Sequence, residues 1–268
     1  MQKIYRSLLA TLVLSSVSTG VLAKEVTVMI SGGFKAALEK LAPQFEAKSG
    51  DNIIVVSGPS MGKTPQAIPA RLARGEKADV VIMVGDALTR LQQENWIQPG
   101  SRVELADSPI GMVVKQGAPK PNIQKDADLR NTLLQAESIA YSDSASGRYV
   151  SGQLFKKLGI ADQLKEKAHM IERIPVASEV AKGKYTVGFQ QVSELLPVPG
   201  VTFIGELPED VQYITRFAGA VTAKAEHRQE GQALLNFLSS GEAQNTIRAT
   251  GMRSVPAEQP VKQPDTVQ

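Results

Sequence analysis

Residues 26–45 read VTVMISGGFKAALEKLAPQF. The first five residues are rich in β-branched side chains, which predicts a buried strand, and the apolar residues after position 33 recur at the spacing of a helix. The turn between the two is Ser-Gly-Gly at residues 31–33. The same order recurs at residues 52–72 and 78–93. A βαβαβα order of this kind predicts a parallel sheet covered by helices.

After residue 100 the alternation of strands and helices breaks and then resumes, which predicts a second α/β lobe. Two extended runs, near residues 105–112 and 206–218, are expected to cross between the lobes as a two-strand hinge, so that the second lobe is an insertion in the first. The predicted fold class is therefore α/β, with two lobes and mixed sheets flanked by helices. The predicted limits are 24–107 and 216–254 for lobe 1, 108–215 for lobe 2, and 255–268 for a disordered, proline-containing tail.

The first 23 residues are typical of a cleaved secretory signal peptide. Lys3 and Arg6 precede an apolar run, and the small residues Val-Leu-Ala at 21–23 fit a cleavage site. The apolar run is too short for a stable membrane span. We therefore expect the mature protein to be exported to the periplasm, and we expect it to be a monomer.

The composition excludes several classes of site. The chain has no cysteine, which rules out disulfides, zinc–thiolate sites, iron–sulfur clusters and a cysteine nucleophile. Its two histidines, His169 and His227, lie far apart in the sequence, and we expect neither a metal nor a cofactor. Loss of the two basic residues of the signal leaves 28 basic against 27 acidic residues, so no nucleic-acid partner is expected.

Three turns between a strand and a helix carry small and polar residues that suit an anion. They lie at residues 31–33, 57–63 and 142–148. In an open parallel sheet, ligands bind beyond the carboxyl ends of the strands, where the amino ends of helices offer unpaired N–H groups. A serine N-cap or a glycine turn accounts for each of them singly, but together they predict one anion-binding cleft.

Further candidates lie outside these turns. Arg173 falls on a short strand predicted at 170–174, and Gln190 and Gln191 follow a strand predicted to end at Phe189. The candidate ligand-binding residues are Ser31, Gly32, Ser57, Gly58, Ser60, Met61, Ser144, Ser146, Arg148, Arg173, Gln190 and Gln191.

Lys63 is a candidate of a different kind. Residues 58–64 read GPSMGKT, which is one residue short of the GxxxxGK[ST] phosphate-binding loop. We therefore reject a nucleotide triphosphatase, although a lysine beside the amino end of a helix still suits an anion. A Ser-His-Asp triad is left open by the sequence, but we do not expect a serine hydrolase.

Three longer segments resemble the molybdate-binding-like branch of the periplasmic solute-binding proteins, and the likeness covers residues 25–252. They are ARLARGEKADVVIMVGDALTRL at 70–91, VASEVAKGKYTVGF at 176–189 and LLNFLSSGEAQNTIRATGM at 234–252. The resemblance implies the two-lobed periplasmic-binding-protein fold of type II, which closes on a ligand in its cleft. It also implies an oxyanion held by Ser31, the turn at 57–60 and Ser146, with further contacts near Arg173 and at Gln191.

The candidate site departs from a molybdate site, which in that branch is neutral and compact. Lys63, Arg148 and Arg173 fall near the expected site, and arginine pairs bidentately with carboxylates. SDSASG at 142–147 and GFQQVSELLPV at 188–198 are similar to the periplasmic aconitate isomerase branch of the same family.

The second resemblance implies an enzyme that interconverts cis- and trans-aconitate by an allylic proton shift without a cofactor. In such an enzyme we expect Lys63 to be either the base or a carboxylate clamp. The alternative function is the substrate-binding subunit of an ABC importer for molybdate-like oxyanions or small organic anions. Both functions require a small anionic ligand, a tricarboxylate or an oxyanion, and the alternative adds an inner-membrane ABC permease as a partner.

Overall fold

The computed structural model describes residues 23–62 and 64–255. Residues 1–22 of the predicted signal peptide, residues 256–268 of the predicted tail, and Lys63 lie outside the described residues. Among the helices of the described ranges, none is long and apolar enough to cross a bilayer.

The described residues form strands and helices in alternation, as the apolar periodicity predicts. The strands are β1 (Glu25–Ile30), β2 (Asn52–Ser57), β3 (Val80–Val84), β4 (Val103–Ser108), β5 (Ile110–Lys115), β6 (Ile139–Ser142), β7 (Ala168–Ile171), β8 (Val187–Gln191), β9 (Val201–Glu206) and β10 (Thr215–Val221). The helices are α1 (Gly32–Ser49), α2 (Ile68–Ala73), α3 (Gly85–Gln93), α4 (Asp126–Gln135), α5 (Ala145–Tyr149), α6 (Phe155–Lys157), α7 (Ala161–Leu164), α8 (Val176–Ala181), α9 (Val192–Leu195), α10 (Arg228–Ser239) and α11 (Gly241–Ala249). A π-helical segment (Val150–Leu154) continues α5, and a 3-10 turn (Glu209–Val211) precedes β10.

Sheet 1 has the strand order β2-β1-β3-β10-β4. The first three of these strands are parallel, and β10 is antiparallel to both of its neighbours. Ile30 is in register with Ser57 on one side and with Ile82 on the other. The carboxyl ends of β1 and β2 therefore meet at one edge, which brings the turns at 31–33 and 57–62 side by side.

Sheet 2 has the strand order β7-β6-β8-β5-β9. Strand β6 lies parallel to β7 and β8, whereas β5 is antiparallel to β8 and β9. The carboxyl ends of β6, β7 and β8 thus share an edge, as in sheet 1. We use "lobe 1" for sheet 1 with α1–α3, α10 and α11, and "lobe 2" for sheet 2 with α4–α9.

The chain crosses between the sheets twice, from β4 to β5 and from β9 to β10. Ser108 at the end of β4 is in register with Thr215 at the start of β10. The buried amide group of Gln191, at the end of β8, lies 2.9 Å from Ser108 Oγ and 3.1 Å from Thr215 Oγ1. Lobe 2 is therefore joined by hydrogen bonds to both crossing segments. The predicted fold class is confirmed, while the exact lobe limits stay a prediction.

Each sheet is covered by helices on both faces. In lobe 1, α1, α10 and α11 cover one face with residues such as Phe34, Leu235 and Ile247, and α2 and α3 cover the other. In lobe 2, a larger cluster that includes Leu129 and Leu154 covers one face, and α8 covers the other. Burial of these apolar side chains holds each lobe together, and it leaves the polar turns free at the sheet edges.

The predicted positions of two strands were wrong. Strand β7 covers Ala168–Ile171 and not 170–174, because its partner β6 ends at Ser142, which is in register with Ile171. Arg173 therefore lies in the turn after the strand, with a positive φ of 60°. Strand β8 continues through Gln190 and Gln191, since both residues pair with β5.

Leu235 gives a test of the lobe 1 core. Its side chain is fully buried between α10 and sheet 1. We expect Leu235→Ala to lower the free energy of unfolding by about 2–5 kcal/mol, because it removes buried apolar contacts and leaves a cavity. Urea unfolding followed by the fluorescence of the single tryptophan measures this change.

Leu196→Ala is the matched control, since Leu196 is 45% exposed. Its expected cost is below about 1 kcal/mol. Equal losses in the two variants would contradict the proposed packing of α10.

Candidate functional site

Three adjoining recesses form a cleft along the polar edges of the two sheets. The hinge-side recess is lined by Ser31, Ser60, Met61, Ser144, Gln191, Glu194 and neighbouring residues. The arginine recess is lined by Met61, Asp143, Arg148, Glu172, Arg173 and neighbouring residues. The cleft mouth is lined by Gly32, Lys35, Ser57, Gly58, Ser144, Arg173, Gln190, Glu194 and neighbouring residues. Each recess has walls from both lobes.

The amino end of α1 opens into the hinge-side recess. Ser31 is the N-cap residue, but its side chain makes no capping hydrogen bond. Its Oγ is buried and has no hydrogen-bond partner among the described residues. The N–H groups of Gly32 and Gly33 point out of the first turn, where a helix has no acceptors of its own. An 18-residue helix with such an end favours a negatively charged ligand group.

The turn after β2 adds a further donor. Ser60 is buried, and its Oγ accepts a hydrogen bond from the Val84 N–H at 2.9 Å. This contact fixes the hydroxyl group and leaves its proton available to a ligand in the hinge-side recess. Met61 lies between this recess and the arginine recess, whereas Ser57 and Gly58 line the cleft mouth.

The turn after β6 holds a cluster of three hydroxyl groups. Ser142 Oγ lies 2.7 Å from Ser144 Oγ and 3.0 Å from Ser146 Oγ. Ser144 lines the hinge-side recess. Ser146 is fully buried behind it and lines none of the three recesses. Ser146 is therefore placed to support the hydroxyl of Ser144, and its contact with a ligand stays a prediction.

Two guanidinium groups face the arginine recess. Arg148 and Arg173 are both exposed, and neither has a salt-bridge or hydrogen-bond partner for its side chain among the described residues. Asp143 and Glu172 line the same recess. Unpaired guanidinium groups suit carboxylate ligands, which they bind through two parallel hydrogen bonds.

The two glutamines at the end of β8 have different partners. Gln190 accepts a hydrogen bond from the Val176 N–H at 3.0 Å and donates one to Glu194 Oε1 at 3.0 Å. Gln191 lines the hinge-side recess, but its amide group contacts the two crossing segments, as described above. Gln190 thus orients another side chain of the cleft, and Gln191 links the cleft to the hinge.

Glu194 is a cleft residue that the sequence did not single out. It follows the two glutamines, and its carboxyl group borders both the hinge-side recess and the cleft mouth. A Cβ atom on Gly32 would collide with its Oε1 atom, so the carboxyl group lies against the amino end of α1. The adjacent Ser193 donates a hydrogen bond to the Gly33 carbonyl oxygen at 2.6 Å, which holds α9 on α1.

The surroundings of Glu194 favour its neutral form. Burial raises the pKa of the Glu194 carboxyl from its usual value of 4.5 to about 7. The hydrogen bond from Gln190 lowers this pKa, and the nearby negative charge of Asp143 raises it further. Lys35 and Arg173 are the cations that share the cleft mouth with it among the described residues. Glu194 therefore exchanges a proton close to neutral pH.

Comparison with known proteins decides the family. Residues 26–253 match the family model described as bacterial extracellular solute-binding protein. The chain belongs to this family. The predicted family resemblance is thereby confirmed, and with it the expectation of a protein whose partner is a small ligand.

Two relatives match this solute-binding protein over most of their length. An aconitate isomerase of Pseudomonas sp. is 44% identical over 233 residues, which cover 87% of this chain and 89% of the relative. The molybdate-binding protein ModA of Azotobacter vinelandii is 27% identical over 237 residues, which cover 85% and 90%. Among solved structures, the periplasmic molybdate-binding protein of Azotobacter vinelandii superposes with a TM-score of 0.69 at 21% identity, covering 87% of this chain and all of that one.

Substitution of Glu194 by glutamine should change how stability depends on pH. The native carboxyl keeps its proton up to about pH 7, whereas the unfolded one loses it near pH 4.5. The folded state therefore loses stability as the pH rises between these values. Glutamine carries no charge, so Glu194→Gln should be about 1–3 kcal/mol more stable than the wild type at pH 8 and nearly equal to it at pH 4.

Urea unfolding at the two pH values measures this difference. Glu209→Gln is the control, because Glu209 is exposed and its side chain makes no salt bridge or hydrogen bond among the described residues. A pH-independent difference between Glu194→Gln and the wild type would show that the carboxyl titrates normally.

Proposed function

We propose that this protein is an aconitate isomerase, which closes on aconitate and interconverts its cis and trans isomers. The observation that carries the proposal is the 44% identity to an aconitate isomerase over 87% of this chain and 89% of the relative. The geometry of the cleft is consistent with it, because the cleft offers separate binding groups for several carboxylates. We further propose that the protein acts in the periplasm after cleavage of its signal peptide.

The reaction is an allylic proton shift. A base removes a proton from the methylene carbon, which lies next to a carboxylate, and the C–H electron pair spreads over the allylic carbons and that carboxylate. The proton then returns to the carbon at the other end of the allylic unit. The double bond moves by one position, its geometry follows the conformation held in the cleft, and the product has the same atoms as the substrate. Donors that stabilise the spread negative charge lower the barrier, and the shift proceeds without a redox cofactor.

In the proposed complex, the three carboxylates of the substrate bind in different recesses of the cleft. The N–H groups at the amino end of α1, with the hydroxyls of Ser31, Ser60 and Ser144, bind one carboxylate in the hinge-side recess. Arg148 and Arg173 bind a second carboxylate in the arginine recess. The third carboxylate lies toward the cleft mouth. Further proposed ligand contacts come from Ser57, Gly58, Met61, Gln190 and Gln191.

A second candidate function is the binding subunit of an ABC importer. The 27% identity to a molybdate-binding protein favours it, since that match also covers most of both chains. The fold serves either function, so the site chemistry must decide between them. In the importer case an inner-membrane ABC permease is the proposed partner.

Proton NMR in heavy water tests the proposed function. The mature wild-type protein is added in catalytic amount to cis-aconitate and, separately, to trans-aconitate. We expect each isomer to yield the other, with deuterium entering the methylene position whenever the proton exchanges with solvent. No conversion at equimolar protein would reject the isomerase and leave the binding subunit.

Arg148 gives a test of carboxylate binding. We expect Arg148→Ala to weaken the binding of aconitate by about 1.5–3 kcal/mol, or roughly 10- to 150-fold in Kd, because it removes a charge-assisted pair of hydrogen bonds. Isothermal titration calorimetry measures the Kd. Arg90→Ala on α3 is the matched control, since Arg90 is exposed and lines none of the three recesses. An unchanged Kd for Arg148→Ala would remove Arg148 from the site.

A further inference from the structure

We propose that Glu194 is the catalytic residue that carries the proton, as base in one half of the reaction and as acid in the other. The proposal rests on the isomerase function proposed above and names the group that performs its central step. It is an alternative to Lys63, which the sequence offers as either the base or a carboxylate clamp and which lies outside the described residues.

The first argument is position. Glu194 and the amino end of α1 face the same recess, and the carboxyl group occupies the space that a Cβ of Gly32 would fill. A substrate carboxylate bound to the N–H groups of that helix end therefore lies beside Glu194. The methylene carbon is bonded to such a carboxylate, so anchoring the carboxylate brings its acidic protons to the Glu194 side chain.

The second argument is orientation. Gln190 donates to Glu194 Oε1 at 3.0 Å, and the Gln190 amide is itself fixed by the Val176 N–H at 3.0 Å. No described residue donates a hydrogen bond to the other oxygen, Oε2. One oxygen is thus held in place and the other is free to take a proton. Gln190 acts as a positioning residue for the carboxyl group.

The third argument is proton affinity. A group that must both accept and return a proton at neutral pH works best when both of its forms are populated there. The pKa of about 7 meets this requirement, and burial is its main cause. An anionic substrate in the same recess disfavours the carboxylate form still further, so the protonated intermediate state of Glu194 is stabilised while the substrate is bound.

Glu194 alone accounts for both proton transfers of the reaction. The Glu194 carboxylate takes a proton from the methylene carbon and becomes a neutral acid, while the substrate becomes a delocalised carbanion. The neutral acid then gives the proton to the other end of the allylic unit and returns to its starting form. No water, metal or second acid is consumed.

The decisive experiment compares Glu194→Gln with the wild type. We expect kcat for aconitate isomerisation to fall at least 100-fold, and deuterium entry from heavy water to fall with it. We expect the Kd by calorimetry to stay within about threefold or to decrease, because glutamine removes a negative charge beside an anionic ligand. A merely structural role for Glu194 would raise Kd instead.

Three further measurements test the catalytic role of Glu194. Glu194→Asp keeps the carboxyl group but shortens the side chain, so it should be slow yet retain a rise of kcat/KM with pH. The wild-type kcat/KM should rise through about pH 7, where the free carboxyl loses its proton. Glu209→Gln, remote from the three recesses, should match the wild type in rate and Kd.

The outcomes separate this inference from the proposed function. Suppose that the wild type converts aconitate and that Glu194→Gln keeps more than a tenth of kcat and of deuterium exchange. That result would overturn the catalytic role of Glu194 and leave the isomerase function in place. If Lys63→Met loses deuterium exchange and Glu194→Gln retains it, Lys63 and not Glu194 is the residue that transfers the proton. A wild type that binds aconitate without converting it overturns both the isomerase and the role of Glu194.

Discussion

The helix α9 of lobe 2 packs against the amino end of α1 in lobe 1, and the cleft is built around this contact. Ser193 holds the two helices together through the Gly33 carbonyl, and Glu194 lies in the space beside Gly32. A side chain on Gly32 would meet the carboxyl group, and one on Gly33 would meet the ring of Phe217. The two glycines after Ser31 therefore allow a carboxyl group from one lobe to reach the anion-binding end of a helix from the other.

In this arrangement, the groups that bind the anion differ from the group that is proposed to transfer a proton. An anion can be held by the amino end of a helix, a set of hydroxyl groups and two guanidinium groups. Such groups bind the ligand without transferring a proton to or from it. Turnover needs in addition a group that exchanges a proton in a place sheltered from water. The relatives of this chain include both an isomerase and a molybdate-binding protein, so a shared architecture serves both tasks and individual side chains decide between them.

Much of the fold could be predicted from the sequence, because strands such as β1 and β3 are runs of apolar, β-branched residues and helices such as α1 and α10 show an apolar face. The ends of strands that carry polar residues could not be predicted in this way. The last two residues of β8 are glutamines, and only their pairing with β5 shows that they belong to the strand. Glu194 could not be distinguished from an ordinary solvated helix residue, because its burial comes from α1, about 160 positions earlier in the chain. Nor could the sequence show which serine of the turn at 142–148 lines a recess, because the fold of the turn decides it.

The link between Gln191 and the crossing segments has a mechanical consequence. The amide group of Gln191 ties the end of β8, beside the hinge-side recess, to Ser108 on one crossing segment and to Thr215 on the other. The wall of that recess and the connection between the lobes are therefore one mechanical unit, and neither can shift without straining these hydrogen bonds. The arginine recess is lined by none of Ser108, Gln191 and Thr215, so its geometry is not tied to the crossing segments in this way.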